Sequence, residues 1–191
     1  MADSLSGLEV EALRGASRIA DVGAGAGFPG LVLAIALAPA RVDLIESARR
    51  KGAAIDRLAR AAGVENARAV VARAEGWAAV AGPLGGGGGR ERYDVVTARA
   101  VAGLAVLVEY AAPLLSLGGV FVAWKGARDP DEERRGGEAA DVVGLAAQGV
   151  LRVEPFAGAR DRHLYVFRKV APTPERFPRR PGMAAKRPLG G

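Results

Sequence analysis

Apolar runs of strand length alternate with longer segments of helical period along most of the chain, the pattern of a parallel sheet covered by helices on both faces. Six or seven strands are expected. The first covers Ser17 to Val22; a glycine-rich turn follows, then a helix from about Pro29 to Ala38 that Pro39 and Ala40 stop. Arg41 to Glu46 is the second strand. Ser47 stands as N-cap of a helix through Ala62, in which Ile55, Leu58, Ala59 and Ala62 share one face and the polar face is strongly basic; Gly63 supplies the stop. Residues 67–73 make a third strand, Tyr93 to Ala98 a fourth and Gly119 to Lys125 a fifth. Asp129, Pro130 and Glu132 have the spacing of cap, first helical residue and capping-box partner for a helix running to about Gln148. Leu151 to Pro155 and Arg162 to Lys169 then close the sheet as an antiparallel pair with its turn at Gly158.

Two segments break this pattern. Gly85 to Gly89 follow Pro83 and precede no helix start, which lacks the context of a phosphate-binding loop and reads as a flexible surface connection. From Pro172 onward five prolines exclude a long helix or a central strand. The expected organisation is one domain over 1–171 and an extended, basic, proline-rich appendage over 172–191.

Composition sharpens the picture at three points. The chain of 191 residues is long enough to bury a core without crosslinks, and it has no cysteine, which excludes disulfides, a Cys zinc site and thiolate catalysis. Met1 to Val10 has neither a basic start nor the apolar run of a signal peptide, and the longest apolar stretch, Leu31 to Ala40, is too short to span a bilayer; a soluble, cytoplasmic protein is expected, without membrane or metal partners. The net charge of +6 is uneven: residues 168–191 hold seven Arg or Lys against Glu175, and the remainder is balanced. Such clustering is the footprint of a protein that meets phosphates, although a short basic terminus is as often merely solvated.

The candidate chemistry lies in the first turn. Ile19-Ala20-Asp21-Val22-Gly23-Ala24-Gly25-Ala26-Gly27-Phe28-Pro29-Gly30 runs from a buried strand through glycines into a helix, a geometry that lets backbone approach a nucleotide-like ligand. Gly25, Gly27 and Gly30 also satisfy the dinucleotide fingerprint, which leaves an NAD-type oxidoreductase as an alternative. Against it, Pro29 has no amide hydrogen where a pyrophosphate wants donors, and the Asp21 carboxylate repels a pyrophosphate but suits the amino group and sulfonium of S-adenosylmethionine. Glu46, 23 residues after Gly23, ends the second strand where an acid accepts hydrogen bonds from ribose hydroxyls, for either cofactor. Ala74 and Glu75 follow the third strand at the same edge and are placed to frame an adenine ring.

Asp21 to Gly30 (D-V-G-A-G-A-G-F-P-G), Arg73-Ala74-Glu75 and Val95-Val96-Thr97-Ala98-Arg99-Ala100 together resemble the bacterial RsmG methyltransferases, also called glucose-inhibited division protein B. Trp124-Lys125-Gly126, Arg162-His163-Leu164 and the tail motifs Thr173-Pro174, Phe177-Pro178-Arg179, Gly182, Lys186 and Pro188-Leu189 extend the resemblance over residues 3–189. It implies a class I S-adenosylmethionine-dependent methyltransferase (Rossmann-like) fold, α/β with a seven-stranded, mostly parallel sheet, and methylation of N7 of a guanine in 16S ribosomal RNA. The family's cofactor contacts fall on Gly23, Phe28, Ala74, Glu75 and Arg99. Relative to that family the chain begins near the end of an N-terminal helical region. A monomer acting on 16S rRNA or the 30S subunit is expected, with a non-catalytic RNA-binding or ribosome-assembly protein on the same fold as the further alternative.

Guanine N7 carries a free lone pair, so the methyl transfer implied by the resemblance needs alignment and water exclusion but no general base. Arg99, after the fourth strand, is assigned a positioning role at the donor or at an RNA phosphate. Lys125, Arg162 and His163 at the same rim, and Arg179, Arg180, Lys186 and Arg187 in the tail, are the candidate RNA contacts. Trp77 and Trp124 are read as core rather than base-stacking platforms.

Overall fold

The computed structural model describes residues 1–81 and 87–190. Its frame is a seven-stranded sheet of order β3-β2-β1-β4-β5-β7-β6, with strands β1 (Arg18–Val22), β2 (Arg41–Glu46), β3 (Ala67–Val71), β4 (Tyr93–Arg99), β5 (Leu115–Lys125), β6 (Leu145–Arg152) and β7 (His163–Lys169). The first five run parallel, and β7 pairs antiparallel with both β5 and β6. Helices cover both faces: α2 (Glu11–Arg14), α3 (Gly30–Ala36) and α4 (Arg49–Ala61) lie on one, and α5 (Ala74–Ala78), α6 (Leu104–Ala111) and α7 (Pro130–Val143) on the other. A short helix α1 (Ala2–Leu5) opens the chain and α8 (Met183–Lys186) stands near its end.

The period-two geometry of the strands divides the core in two. Ile19, Val95 and Val122 pack with α2, α3 and α4, while their neighbours Ala20, Val96 and Phe121 pack with α6 and α7. Burial on both faces is why the inner strands read as continuous apolar runs instead of alternating ones.

Several local expectations are corrected. Ser47 does not cap α4: the N-cap is Ala48, whose amide is bound by the Glu46 carboxylate at 2.8 Å. Leu58 and Ala62 are exposed, so the buried stripe of α4 is Gly52, Ile55 and Ala59. Helix α7 ends at Val143, because Gly144 takes a left-handed conformation (φ 83°) and β6 begins directly after it. Asp129 does cap α7, accepting from the amides of Asp131 and Glu132, but Glu132 does not close a capping box; its carboxylate binds the Leu104 amide and the Lys125 ammonium instead. Within the glycine run, Gly85 and Gly86 lie outside the described residues, whereas Gly88 and Gly89 are buried against Val80 and Trp77 rather than exposed.

The tail is the largest correction. It is not an extended appendage: Phe177 and Ala184 are buried, Leu189 packs on the core, and Arg179 makes a bidentate ion pair with the buried Glu109 of α6, with Nε to Oε1 at 2.7 Å. Among the described residues, no helix is long and apolar enough to cross a membrane.

Candidate functional site

The parallel register brings the carboxyl ends of four strands to one rim. Val22 stands beside Ile45 and Ala98, Glu46 beside Val71, and Arg99 beside Trp124, so the glycine loop, Glu46, the Ala74-Glu75 turn and Arg99 share that edge. The loop from Gly23 to Gly30 crosses it with Gly23, Gly25 and Gly27 at positive φ, 69°, 57° and 96°. A Cβ on Gly23 would lie 2.5 Å from Val101, and one on Gly30 would lie 2.8 Å from both Asp21 and Leu44, so neither position admits a side chain.

The hydrogen bonds of this loop decide what it can hold. The amides of Gly23 and Ala24 bind the Ile45 carbonyl, those of Gly27 and Phe28 bind the Ala24 carbonyl, and that of Leu31 binds the Gly27 carbonyl. Gly25 donates to Glu46 at 3.0 Å and Gly30 to Asp21 at 2.9 Å. Pro29 has no donor, and among the described residues only the Ala26 amide in this loop has no partner. A pyrophosphate cradle needs several convergent free amides, and this loop offers one. The crevice is thus suited to a ligand without a pyrophosphate.

Asp21 is completely buried. Its carboxylate accepts from the Gly30 amide and from the Thr97 hydroxyl at 2.9 Å, which staples the start of α3 to β4. The expectation that it faces the donor's amino group is therefore corrected, because both oxygens serve the frame. Burial pushes its pKa up to about 7, against the hydrogen bonds from Thr97 and Gly30 and the charge of Arg99, which act to lower it. Glu46 is nearly buried at the end of β2 and braces both the glycine loop and the start of α4. Each of its oxygens keeps a second lone pair, so the arrangement still fits a ribose diol. Glu75 is buried as well and accepts from the Gly182 amide of the tail at 2.7 Å, with Ala74 buried beside it.

Arg99 and Phe28, both among the cofactor contacts that the resemblance implies, lie together: the guanidinium is 5.8 Å from the ring centroid. Arg99 Nη1 also donates to Asp3 at 3.0 Å. Beside it opens a cleft of about 300 Å³ lined by Asp3, Arg99, Trp124, Lys125, Arg162 and His163, among others. The residue after Arg99, Ala100, holds φ 54°, a strained conformation for a residue with a side chain, and such strain collects at binding sites. Trp124 is buried and donates to the Asp3 carbonyl at 2.8 Å, and Trp77 donates to the Tyr93 hydroxyl, so both indoles are core, as expected.

The RNA candidates separate into three groups. Lys125, Arg162 and His163 line the cleft, but Lys125 is held by Glu132 at 2.6 Å and His163 Nδ1 donates to the Gly126 carbonyl at 2.8 Å. Arg180, Lys186 and Arg187 are exposed and make no ion pair among the described residues. Arg179 is withdrawn from the RNA set, since its Nε and Nη2 are spent on Glu109. Sequence reasoning missed Asp3, Thr97 as partner of Asp21, and Glu109. Only the quoted Val95-to-Ala100 motif carried any signal for Thr97, and an acid two residues from the first methionine carried none.

Residues 1–165 match the family model described as GidB, rRNA small subunit methyltransferase G. The chain belongs to this family. It is 42% identical over 188 residues to the ribosomal RNA small subunit methyltransferase G of Pelotomaculum thermopropionicum, covering 98% of the chain and 76% of the relative. To its counterpart in Rubrobacter xylanophilus it is 45% identical over 192 residues, covering 99% and 71%. Solved structures of the same fold include an S-adenosylmethionine-dependent O-methyltransferase from Thermotoga maritima (TM-score 0.66, 16% identity, 91% of this chain and 66% of that one). Another is a predicted O-methyltransferase from Agrobacterium tumefaciens (TM-score 0.64, 22% identity, 89% and 81%). The fold of this family member is thus the class I methyltransferase fold.

Proposed function

We propose that the chain transfers the methyl group of S-adenosylmethionine to N7 of a guanine in 16S ribosomal RNA. Among this chain's own features, the glycine loop carries the reading: its amides are spent on protein carbonyls and on two carboxylates, which starves a dinucleotide pyrophosphate and leaves the crevice to a donor without phosphates. The family supplies the acceptor. Bound at this rim, S-adenosylmethionine supplies an activated methyl group on a positive sulfur.

In this reading Glu46 accepts from the ribose, the Ala74-Glu75 turn borders the adenine, and Gly23, Gly25 and Gly27 give the close approach. Arg99 is the positioning residue. Its guanidinium is fixed by Asp3 and Phe28 between the glycine loop and the cleft, where the target base enters. Buried Trp124 walls the cleft, and no side chain is asked to remove a proton, because N7 attacks with a free lone pair.

Assay of methyl transfer to 30S particles and to naked 16S rRNA from a strain lacking the modification, with mass spectrometric mapping of the product, tests the assignment. Label on a guanine N7 is expected; label elsewhere, or RNA binding without transfer, overturns it. Calorimetry separates the cofactors, since a preference for NADH over S-adenosylmethionine contradicts the loop chemistry. Glu46→Ala is expected to weaken S-adenosylmethionine by about 10- to 100-fold, the loss of a charged hydrogen-bonding partner worth roughly 1.5–3 kcal/mol. An unchanged dissociation constant removes Glu46 from the site.

A further inference from the structure

A second cavity lies away from the methyl-donor rim. A groove of about 690 Å³ opens at the amino ends of β1, β2, β3 and β4, the opposite edge of the sheet. A strand of five residues spans roughly 16 Å, so a ligand there stands well away from the glycine loop and is not the methyl acceptor. The volume suits a nucleotide-sized group.

Its lining is strongly basic. Arg18, Arg41, Arg68 and Arg92 border it, against Asp43 and Glu65. Asp43 is already spent: Arg68 grips it with a fork at 2.6 and 3.0 Å and the Tyr93 hydroxyl donates to it at 2.7 Å. Among the described residues, Arg18, Arg41 and the half-buried Arg92 have no carboxylate within ion-pairing distance. The walls are fixed. Asn66 Nδ2 holds the carbonyls of Ala34 and Ala40 at 2.9 and 2.8 Å, and the Asp94 carboxylate accepts from the amides of Ser17 and Arg18. Three guanidinium groups on a rigid frame, none held in an ion pair among the described residues, are the chemistry of a phosphate site.

Helix α4 gives the groove its direction. Its thirteen residues span about 20 Å, from the Glu46 rim to Gly63, which itself lines the groove. Along it Arg50, Arg57 and Arg60 are exposed at i, i+7 and i+10, one stripe of the helix. A free mononucleotide would use the groove alone, whereas a polyanion uses groove and stripe together. Resting on the reading above, we propose that the groove at the amino ends of β1 to β4 is a second phosphate-binding site for the substrate RNA. The backbone follows α4 from that site toward the rim where the methyl is transferred.

The test is the double variant Arg18→Ala/Arg41→Ala, two exposed residues whose loss leaves the Arg68–Asp43 pair and the donor rim intact. Binding to 30S particles and to naked 16S rRNA is measured over a series of KCl concentrations, alongside S-adenosylmethionine affinity, methyl transfer and thermal midpoint. The expected result is RNA affinity down about tenfold or more at low salt, with the slope of log K against log[KCl] shallower by about 1.4 to 1.8. KM for RNA rises, while donor affinity, kcat and the thermal midpoint stay as in the wild type. An unchanged slope overturns the proposal. So does a loss confined to 30S particles, which would mean that the groove meets a ribosomal protein. A wild type that transfers no methyl group but whose salt slope falls in the variant refutes the catalytic reading and leaves the phosphate site standing.

Discussion

Arg179→Ala is expected to destabilise the fold by about 3–5 kcal/mol, read as a lowered urea midpoint, even though the arginine stands in a proline-rich terminus. Its partner Glu109 is buried on α6, and truncating the arginine leaves that carboxylate unpaired in an apolar layer. The same guanidinium donates to the Arg187 carbonyl at 2.9 Å, which ties the last residues to the tail, and Phe177 two residues earlier is sunk in the core. Deleting residues 172–191 combines these losses with the removal of a buried phenylalanine, itself worth about 3–5 kcal/mol. A paired replacement, Arg179→Met with Glu109→Leu, is expected to recover most of the loss, because removing both charges leaves no orphan. Wild-type stability in Arg179→Ala, together with weakened RNA binding, would return Arg179 to the RNA surface.

This latch reaches the candidate site. Gly182 binds the Glu75 carboxylate, and Glu75 stands at the turn assigned to the adenine. The tail thus fixes a side chain at the donor rim. Its remaining exposed charges, Arg180, Lys186 and Arg187, are presented from a folded segment rather than a loose one.

The difference between what was legible and what was not follows from the range of each signal. The parallel strands and the glycine loop could be read because each is a local pattern, a continuous apolar run for a strand buried on both faces and glycines where φ turns positive, whereas the first half of β6 (Leu145–Arg152) reads as the end of a helix. The tail could not be read that way. Five prolines do forbid a long helix, but they do not forbid packing, and the partner that holds the tail lies 70 residues away on α6. Ser47 failed as a cap for a similar reason, since a glutamate next to it, buried and already bracing the loop, took the amide. Asp21 stands at the expected rim, but its carboxylate is turned into the frame. A carboxylate at the end of an inner strand has charge enough to face a ligand, but Thr97 lies on the adjacent strand, in direct register with it, and sequence spacing does not reveal such a neighbour.

Asp21→Ala is expected to cost about 2–4 kcal/mol, since it strands the Gly30 amide without a buried acceptor and leaves the Thr97 hydroxyl only the Ala20 carbonyl at 3.4 Å. Because that carboxylate fixes the start of α3, donor binding falls with it. The pH dependence separates this structural role from a direct ligand contact. Burial raises the pKa of Asp21 to about 7 from an unfolded value of 3.8, with Thr97, Gly30 and Arg99 opposing. Below pH 3.8 both states hold the proton; as pH rises the unfolded chain releases it first, so this group's contribution to stability drains away between about 4 and 7 and is level above. Asp21→Asn mimics the protonated acid, offering its carbonyl to Gly30 and its amide hydrogens to the Thr97 oxygen, and it has no proton to lose. Measured by urea unfolding without ligand, wild type relative to Asp21→Asn should therefore lose about 3 kcal/mol between pH 5 and pH 8. A difference that stays flat with pH, combined with Asp21→Ala that unfolds like the wild type, would mean that the carboxylate is solvated and free to meet the donor after all.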